Sequence, residues 1–177
     1  MNTADVGPTL SALLNELVRG TPPTGGYMLN RHDAGMLGSI ERLSAAGASE
    51  IIDGGSSVAA HMDHVLYYTS LMNRWAAGEK NPWKDADWKE SWTRPTVTQE
   101  SWAALRVQLE RSLHQWSDAI SRPRDVTESE FAGMVASIAH LAYHLGAIRQ
   151  MNRKIGGPSA NNEVDAFAPS GGLGTEG

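Results

Sequence analysis

The stretch Ser137-Ile138-Ala139-His140-Leu141-Ala142-Tyr143-His144-Leu145 sets two histidines four residues apart in a run that is otherwise apolar or small. On an α-helix that separation is little more than one turn, so both imidazoles project from the same face. Two neutral ring nitrogens on successive turns can share one divalent ion at about 2.0–2.1 Å each. The spacing is weak by itself. It acquires meaning only if the chain around it supplies a helical setting and a third ligand.

The helical setting is explicit. Thr127-Glu128-Ser129-Glu130 has the form of a capping box, with Val126 and Phe131 placed as a hydrophobic staple. The helix that follows carries a core stripe of Phe131, Met134 or Val135, Ile138, Leu141 or Ala142, Leu145 and Ile148. Beside it runs a second stripe of Gly133, Ser137, His140, His144 and Ala147, whose small members leave room for an ion and its water. Gly156-Gly157-Pro158 is the predicted stop.

Upstream, Gly54-Gly55-Ser56-Ser57 opens another long helix with a serine N-cap, running to about Trp75 or Ala77 before Gly78. One stripe holds Val58, Met62, Val65, Thr69 and Met72; the other holds Ser57, His61, His64, Tyr68, Leu71 and Trp75. So wide an apolar surface belongs in the interior of a bundle, which turns His61 and His64 inward. Thr98 caps a third helix whose seam is Trp102, Leu105, Leu109, Leu113, Trp116 and Ile120, broken at Pro123. His114 stands beside that seam and reads as an ordinary half-exposed residue.

Nearer the N-terminus, Thr9 to Arg19 reads as a short helix with Leu10, Leu13, Leu14 and Leu17 on one face, closed by Gly20. Pro22-Pro23-Thr24-Gly25-Gly26 is a loop by composition. A helix is predicted from about Ala34 to Ala46, although Gly35 and Gly38 weaken it. The organisation expected is an N-terminal arm over 1–32, a helical bundle over 33–155 and a flexible Gly-rich tail over 156–177. Between Glu79 and Val97 lies a long connection containing Trp83, Trp88 and Trp92, read either as a cap packed over the bundle or as a lid.

Composition bounds the function. A chain of 177 residues, 41% hydrophobic and 20% charged, suits one globular domain. With 15 basic and 20 acidic side chains, a net of -5, no basic patch invites nucleic acid or an anionic membrane. Cysteine is absent, which excludes disulfides, thiolate zinc sites and cysteine nucleophiles and fits a cytoplasmic protein. Met1 to Pro8 lacks the pattern of a secretory signal, and no apolar stretch is expected to span a bilayer.

Four helices with these connections argue for an all-α, four-helix bundle. If the second and fourth face one another, His64, or His61 one turn earlier, meets His140 and His144. Three imidazoles leave a vertex for water or substrate, and nitrogen-only ligation suits zinc, nickel or iron. His-Glu-x-x-His, Glu-x-x-His and Gly-x-Ser-x-Gly are all missing, which counts against zinc proteases, di-iron carboxylate bundles and serine hydrolases. Without a metal, the histidines would have to satisfy one another, or pair with Tyr68 and Ser137.

Ser57-Val58 leading to His64, followed later by His140-Leu-Ala-Tyr-His144-Leu-Gly146, resembles the DinB/YfiT-like metalloenzymes over most of Asp33 to Arg153. The resemblance implies an up-down-down-up four-helix bundle, frequent homodimers and one divalent metal ion at a three-histidine site. Counting from the serine, it implies His64, His140 and His144 as the ligands. His61 then stands where an apolar residue is usual. Activities implied by the resemblance are thiol-dependent transfer and isomerisation with low-molecular-weight thiols such as mycothiol or bacillithiol. The function expected is therefore a metal-dependent enzyme activating a thiol or water on a small-molecule substrate, with Asp63, His61 and Tyr68 as outer partners. The competing expectation is a non-enzymatic, metal-stabilised dimeric bundle serving as a binding or stress-response module. A third is a member that has lost its metal.

Overall fold

The computed structural model describes residues 1–155, apart from the side chain of Lys154; the expected tail over 156–177 and the expected helix stop at Gly156 lie outside them. Six α-helices span Gly7–Arg19 (α1), Gly35–Glu41 (α2), Ala45–Ala48 (α3), Val58–Ala76 (α4), Gln99–Ser121 (α5) and Glu128–Met151 (α6). Short 3₁₀ turns cover Glu90–Trp92 and Arg153–Ile155, and no strand occurs among the described residues. The chain is all-α.

Hydroxyl side chains fix where the three longest helices begin. The Ser57 Oγ accepts from the Ala60 amide at 3.2 Å and donates to the Pro95 carbonyl at 2.5 Å, so one residue starts α4 and ties down the end of the aromatic loop. Thr98 and Ser101 make a reciprocal capping box at α5, and Thr127 and Glu130 make another at α6. With the starts fixed, the phase of each helix is fixed, and its apolar stripe faces inward. Trp102 and Trp116 of α5 are fully buried, with their indole N–H groups satisfied by the Leu43 carbonyl at 3.0 Å and the Ser137 hydroxyl at 2.9 Å. The second of these bonds seats α6 against α5 one turn before His140.

The four long helices pack in the order α1, α5, α4, α6 and back to α1. The segment expected as an arm is thus part of the body. Leu10, Leu14, Leu17 and Val18 of α1 are buried in the common core, because their spacing makes a stripe that only α5 and α6 can cover. The extreme N-terminus is pinned as well: the Met1 amine donates to the Val126 carbonyl at 2.9 Å, and the Thr3 amide to the Arg124 carbonyl at 3.0 Å.

The helix expected over 34–46 is two short helices instead. Gly35 has a φ of +64°, which bends the chain sharply into α2. The Ser44 hydroxyl then accepts from the Gly47 amide at 3.1 Å, offering the backbone a new start in place of continuation. Gly20, with a φ of +96°, lies against the same corner; a Cβ there would overlap the Asp33 carbonyl. α6, at 24 residues, corrects a second expectation, being long and apolar enough by length and composition to cross a membrane. Its apolar residues Met134, Ile138, Leu141, Leu145 and Ile148 belong to the core of this domain.

Two buried charges organise the N-terminal half. Glu16, on α1, accepts from the amides of Tyr27, Met28 and Leu29 at 2.9, 2.7 and 2.7 Å, shaping the loop ahead of α2. Arg149, on α6, makes a bidentate pair with Asp33 at 2.9 and 2.6 Å and also donates to Ser39, with side chains only 7% and 13% exposed. Replacing Asp33 by Ala strands the guanidinium, so D33A is expected to lose about 3–5 kcal/mol. Thr127→Ala removes one cap from a helix otherwise held by packing and is expected to lose about 1 kcal/mol. Urea unfolding midpoints of the two variants check that ordering.

Candidate metal centre

α4 and α6 pack against one another, and the side chains meeting between them include four imidazoles. Each pair is spaced to share a helix face: His61 and His64 three apart on α4, His140 and His144 four apart on α6. His61, His64 and His144 are buried, and His140 is partly buried. The structure brings His64, His140 and His144 into one group that could hold a metal ion. The Nε2 atom of His140 lies 3.2 Å from Nε2 of His64 and 3.1 Å from Nε2 of His144. Nitrogens tetrahedrally placed about one ion at about 2.0–2.1 Å would stand about 3.3 Å apart. The donor set therefore fits a borderline divalent cation in both chemistry and separation.

Hydrogen bonds behind the rings decide which nitrogens face the shared space. The Ser91 hydroxyl donates its one proton to the Trp88 carbonyl at 2.8 Å. It must therefore accept from His64 Nδ1–H, 2.8 Å away, which leaves the Nε2 lone pair of His64 pointing at its two neighbours. Burial pushes His64 down to about 4, helped by the adjacent His140 and His61. His144 is pushed down to about 3, chiefly by burial and then by His140, His61 and His64. Burial also lowers His140 and His61. Near neutral pH all four rings are neutral, the state in which imidazole binds metals.

Aromatic groups enclose the cluster. Trp92 stacks on His64 at 4.4 Å between centroids and meets His61 edge-on at 5.1 Å. Tyr68 lies 4.6 Å from the His140 ring, and Tyr143 5.1 Å from that of His144. The aromatic loop is thus a cover for the histidines themselves, anchored by the Asp87 amide donating to the Tyr67 hydroxyl at 2.8 Å. Trp92 and Tyr143 remain 37% and 66% exposed, so the rim of the site is aromatic and open to solvent.

Other expected members are placed differently. Asp63 turns away, pairing with Arg94 at 3.7 Å and lining a groove with Thr96, Ser101 and Gln108. Burial, the largest influence on it, raises its carboxyl above the usual carboxylate range. His114 sits beside Arg19 and 4.0 Å from Glu110, outside the cluster. Ser91 was not legible in the sequence, which also left open whether His61 or His64 meets the α6 pair; the structure brings both, His61 to His144 and His64 to His140. Ser91 lies in an irregular loop where no periodicity assigns a direction, and its neighbours Trp88 and Trp92 were the only signal.

The depressed histidines make acid stability a test of this geometry. Folded-state values below the ordinary 6.5 mean that the unfolded chain takes up protons first as the pH falls. For the metal-free protein this contribution is intact above about pH 6.5 and is lost progressively towards about pH 3. Urea midpoints measured across that window in chelator are expected to fall, and His144→Phe to make the fall shallower.

Comparison with known proteins places this arrangement. No curated protein and no solved structure matches the chain. The sequence model of the DinB superfamily matches residues 28–148, more than half of the chain. That match runs from the loop held by Glu16 through α2, α4 and α5 and includes all four clustered histidines of α4 and α6, and the chain belongs to the DinB superfamily.

Proposed function

We propose that this protein is a divalent-metal-dependent enzyme in which His64, His140 and His144 hold one ion, and that the ion activates a thiol or a water against a small-molecule substrate. The observation carrying this reading is the convergence of three Nε2 atoms 3.1 and 3.2 Å apart on rings that burial keeps neutral. When bound, such an ion lowers the pKa of a coordinated thiol or water and so supplies a nucleophile near neutral pH. The chain's own part is to aim and shield. Ser91 holds His64 in the tautomer that presents Nε2, and Trp92 covers the ring from water. Among the described residues the metal-competent group contains no carboxylate to serve as base, which favours direct activation of an incoming thiol over base-assisted hydrolysis. Low-molecular-weight thiols are abundant in the reducing cytoplasm, the compartment that the cysteine-free composition suits.

The partner proposed is a second copy of the chain. α6 carries no charged residue from Phe131 to Ile148, yet its outer face leaves Val135 and Tyr143 43% and 66% exposed. An apolar helix face of that kind is covered most readily by a partner. The non-enzymatic reading draws on the burial of His64 and His144, 6% and 1% exposed, which is what a closed structural site would show.

Metal content decides between these readings and a metal-free protein. Purified wild type is expected to hold about one equivalent of zinc, nickel or iron by elemental analysis, and His144→Ala to lose it; full stoichiometry in H144A would refute the ligand set. Thiol-dependent turnover of electrophilic substrates, abolished by chelation and restored by metal, is the expected outcome of an activity screen. A loaded protein whose ion exchanges neither water nor added thiol would instead favour the structural role.

A further inference from the structure

His61 has no place in the ligand set proposed above, but it is only 6% exposed and its Nδ1 lies 2.8 Å from Nδ1 of His144. Two ring nitrogens at that distance share one proton: one donates it and the other offers its lone pair. The direction follows from the other edge of the His144 ring. Its Nε2 belongs to the convergent cluster, 3.1 Å from Nε2 of His140, and can give a lone pair there only if the neutral ring carries its proton on Nδ1. His144 Nδ1–H then donates, and His61 Nδ1 accepts. His61 keeps its own proton on Nε2, and its ring is held in place by the edge-on indole of Trp92.

We propose that His61 is a positioning residue that locks His144 in the Nδ1–H tautomer and aims its Nε2 lone pair at the ion. This rests on the reading of His144 as a ligand. His61 does for His144 what Ser91 does for His64, so each of these two rings is oriented from behind by a different element. An apolar side chain at 61 would fill the space between Trp92 and His144 but leave the His144 Nδ1 without a partner, and either nitrogen of that ring could then carry the proton.

Zinc is the probe. His61→Phe retains an aromatic ring and removes the acceptor, and is expected to weaken zinc binding about 10–100-fold by competition against a chromogenic chelator. His61→Asn places a carbonyl oxygen near the lost nitrogen and is expected to recover most of that loss, which a merely space-filling role would not predict. In ¹⁵N NMR of the zinc-loaded wild type, His144 is expected to bind through Nε2 and to carry a protected Nδ1 proton coupled across the hydrogen bond to His61. Zinc affinity in H61F within twofold of wild type overturns the proposal. So does zinc bound through Nδ1 of His144. So does an X-ray absorption spectrum in which H61F has lost one nitrogen ligand, because His61 would then be bound to the ion itself. If H61F does not fold, the wild-type NMR measurement decides alone. Wild type that binds no zinc, or H144A that binds it like wild type, defeats the ligand reading as a whole and is distinct from a failure confined to His61.

Discussion

Four imidazoles share one buried space, and the cost of charging them there shapes the contact between α4 and α6. A proton on any one of them would be repelled by none of the others while they remain neutral, but a second would meet it at hydrogen-bond distance in a medium that screens poorly. Burial settles the matter in favour of the uncharged forms. The surroundings then have to supply a partner for ring nitrogens that would otherwise be bound to water. Ser91 and the histidines' own mutual contacts do so, and His64, His140 and His144 form a group that could hold a metal ion.

Such a cluster depends on helices held to within a fraction of an ångström, and the means are spread through the chain. Ser57 starts α4 and fastens the aromatic loop in one contact pair. Trp116 reaches across to Ser137, one turn ahead of His140, and Arg149 grips Asp33 just past His144. The histidine-bearing part of α6 is therefore clamped on both sides, by a neutral bond to α5 and by an ion pair to the start of α2. Rigid support of this kind is what a metal site needs from its scaffold.

Much of this was legible in the sequence because local chemistry dictated it. The caps at Ser57, Thr98 and Thr127 gave helix starts that the structure reproduces, and with them the phase that brings His64, His140 and His144 together. Where tertiary contacts governed, reading failed. Nothing local in Leu10, Leu14 and Leu17 says that their stripe is covered by α5 and α6, so an integral helix looked like an arm. The glycines at 35 and 38 warned of a weak helix over 34–46, but the break came from Ser44 capping a new turn. Ser91 was invisible for a different reason: a loop has no period, and only the folded loop shows its hydroxyl behind His64. The apolar run of α6 was underestimated, because its two histidines hid how little charge it carries.

The hydrogen-bond chain from the Trp88 carbonyl through Ser91 to His64 couples two things that sequence keeps apart, a surface loop and the protonation pattern of a buried ring. Lifting the loop would remove the acceptor that holds the His64 proton on Nδ1, together with the indole stacked on that ring. Loop order and the readiness of the site to accept a cation are thus linked equilibria, and linkage is reciprocal. An ion that prefers the ordered loop must, to the same degree, stiffen it. The aromatic rim above the histidines is then partly the product of what lies beneath it.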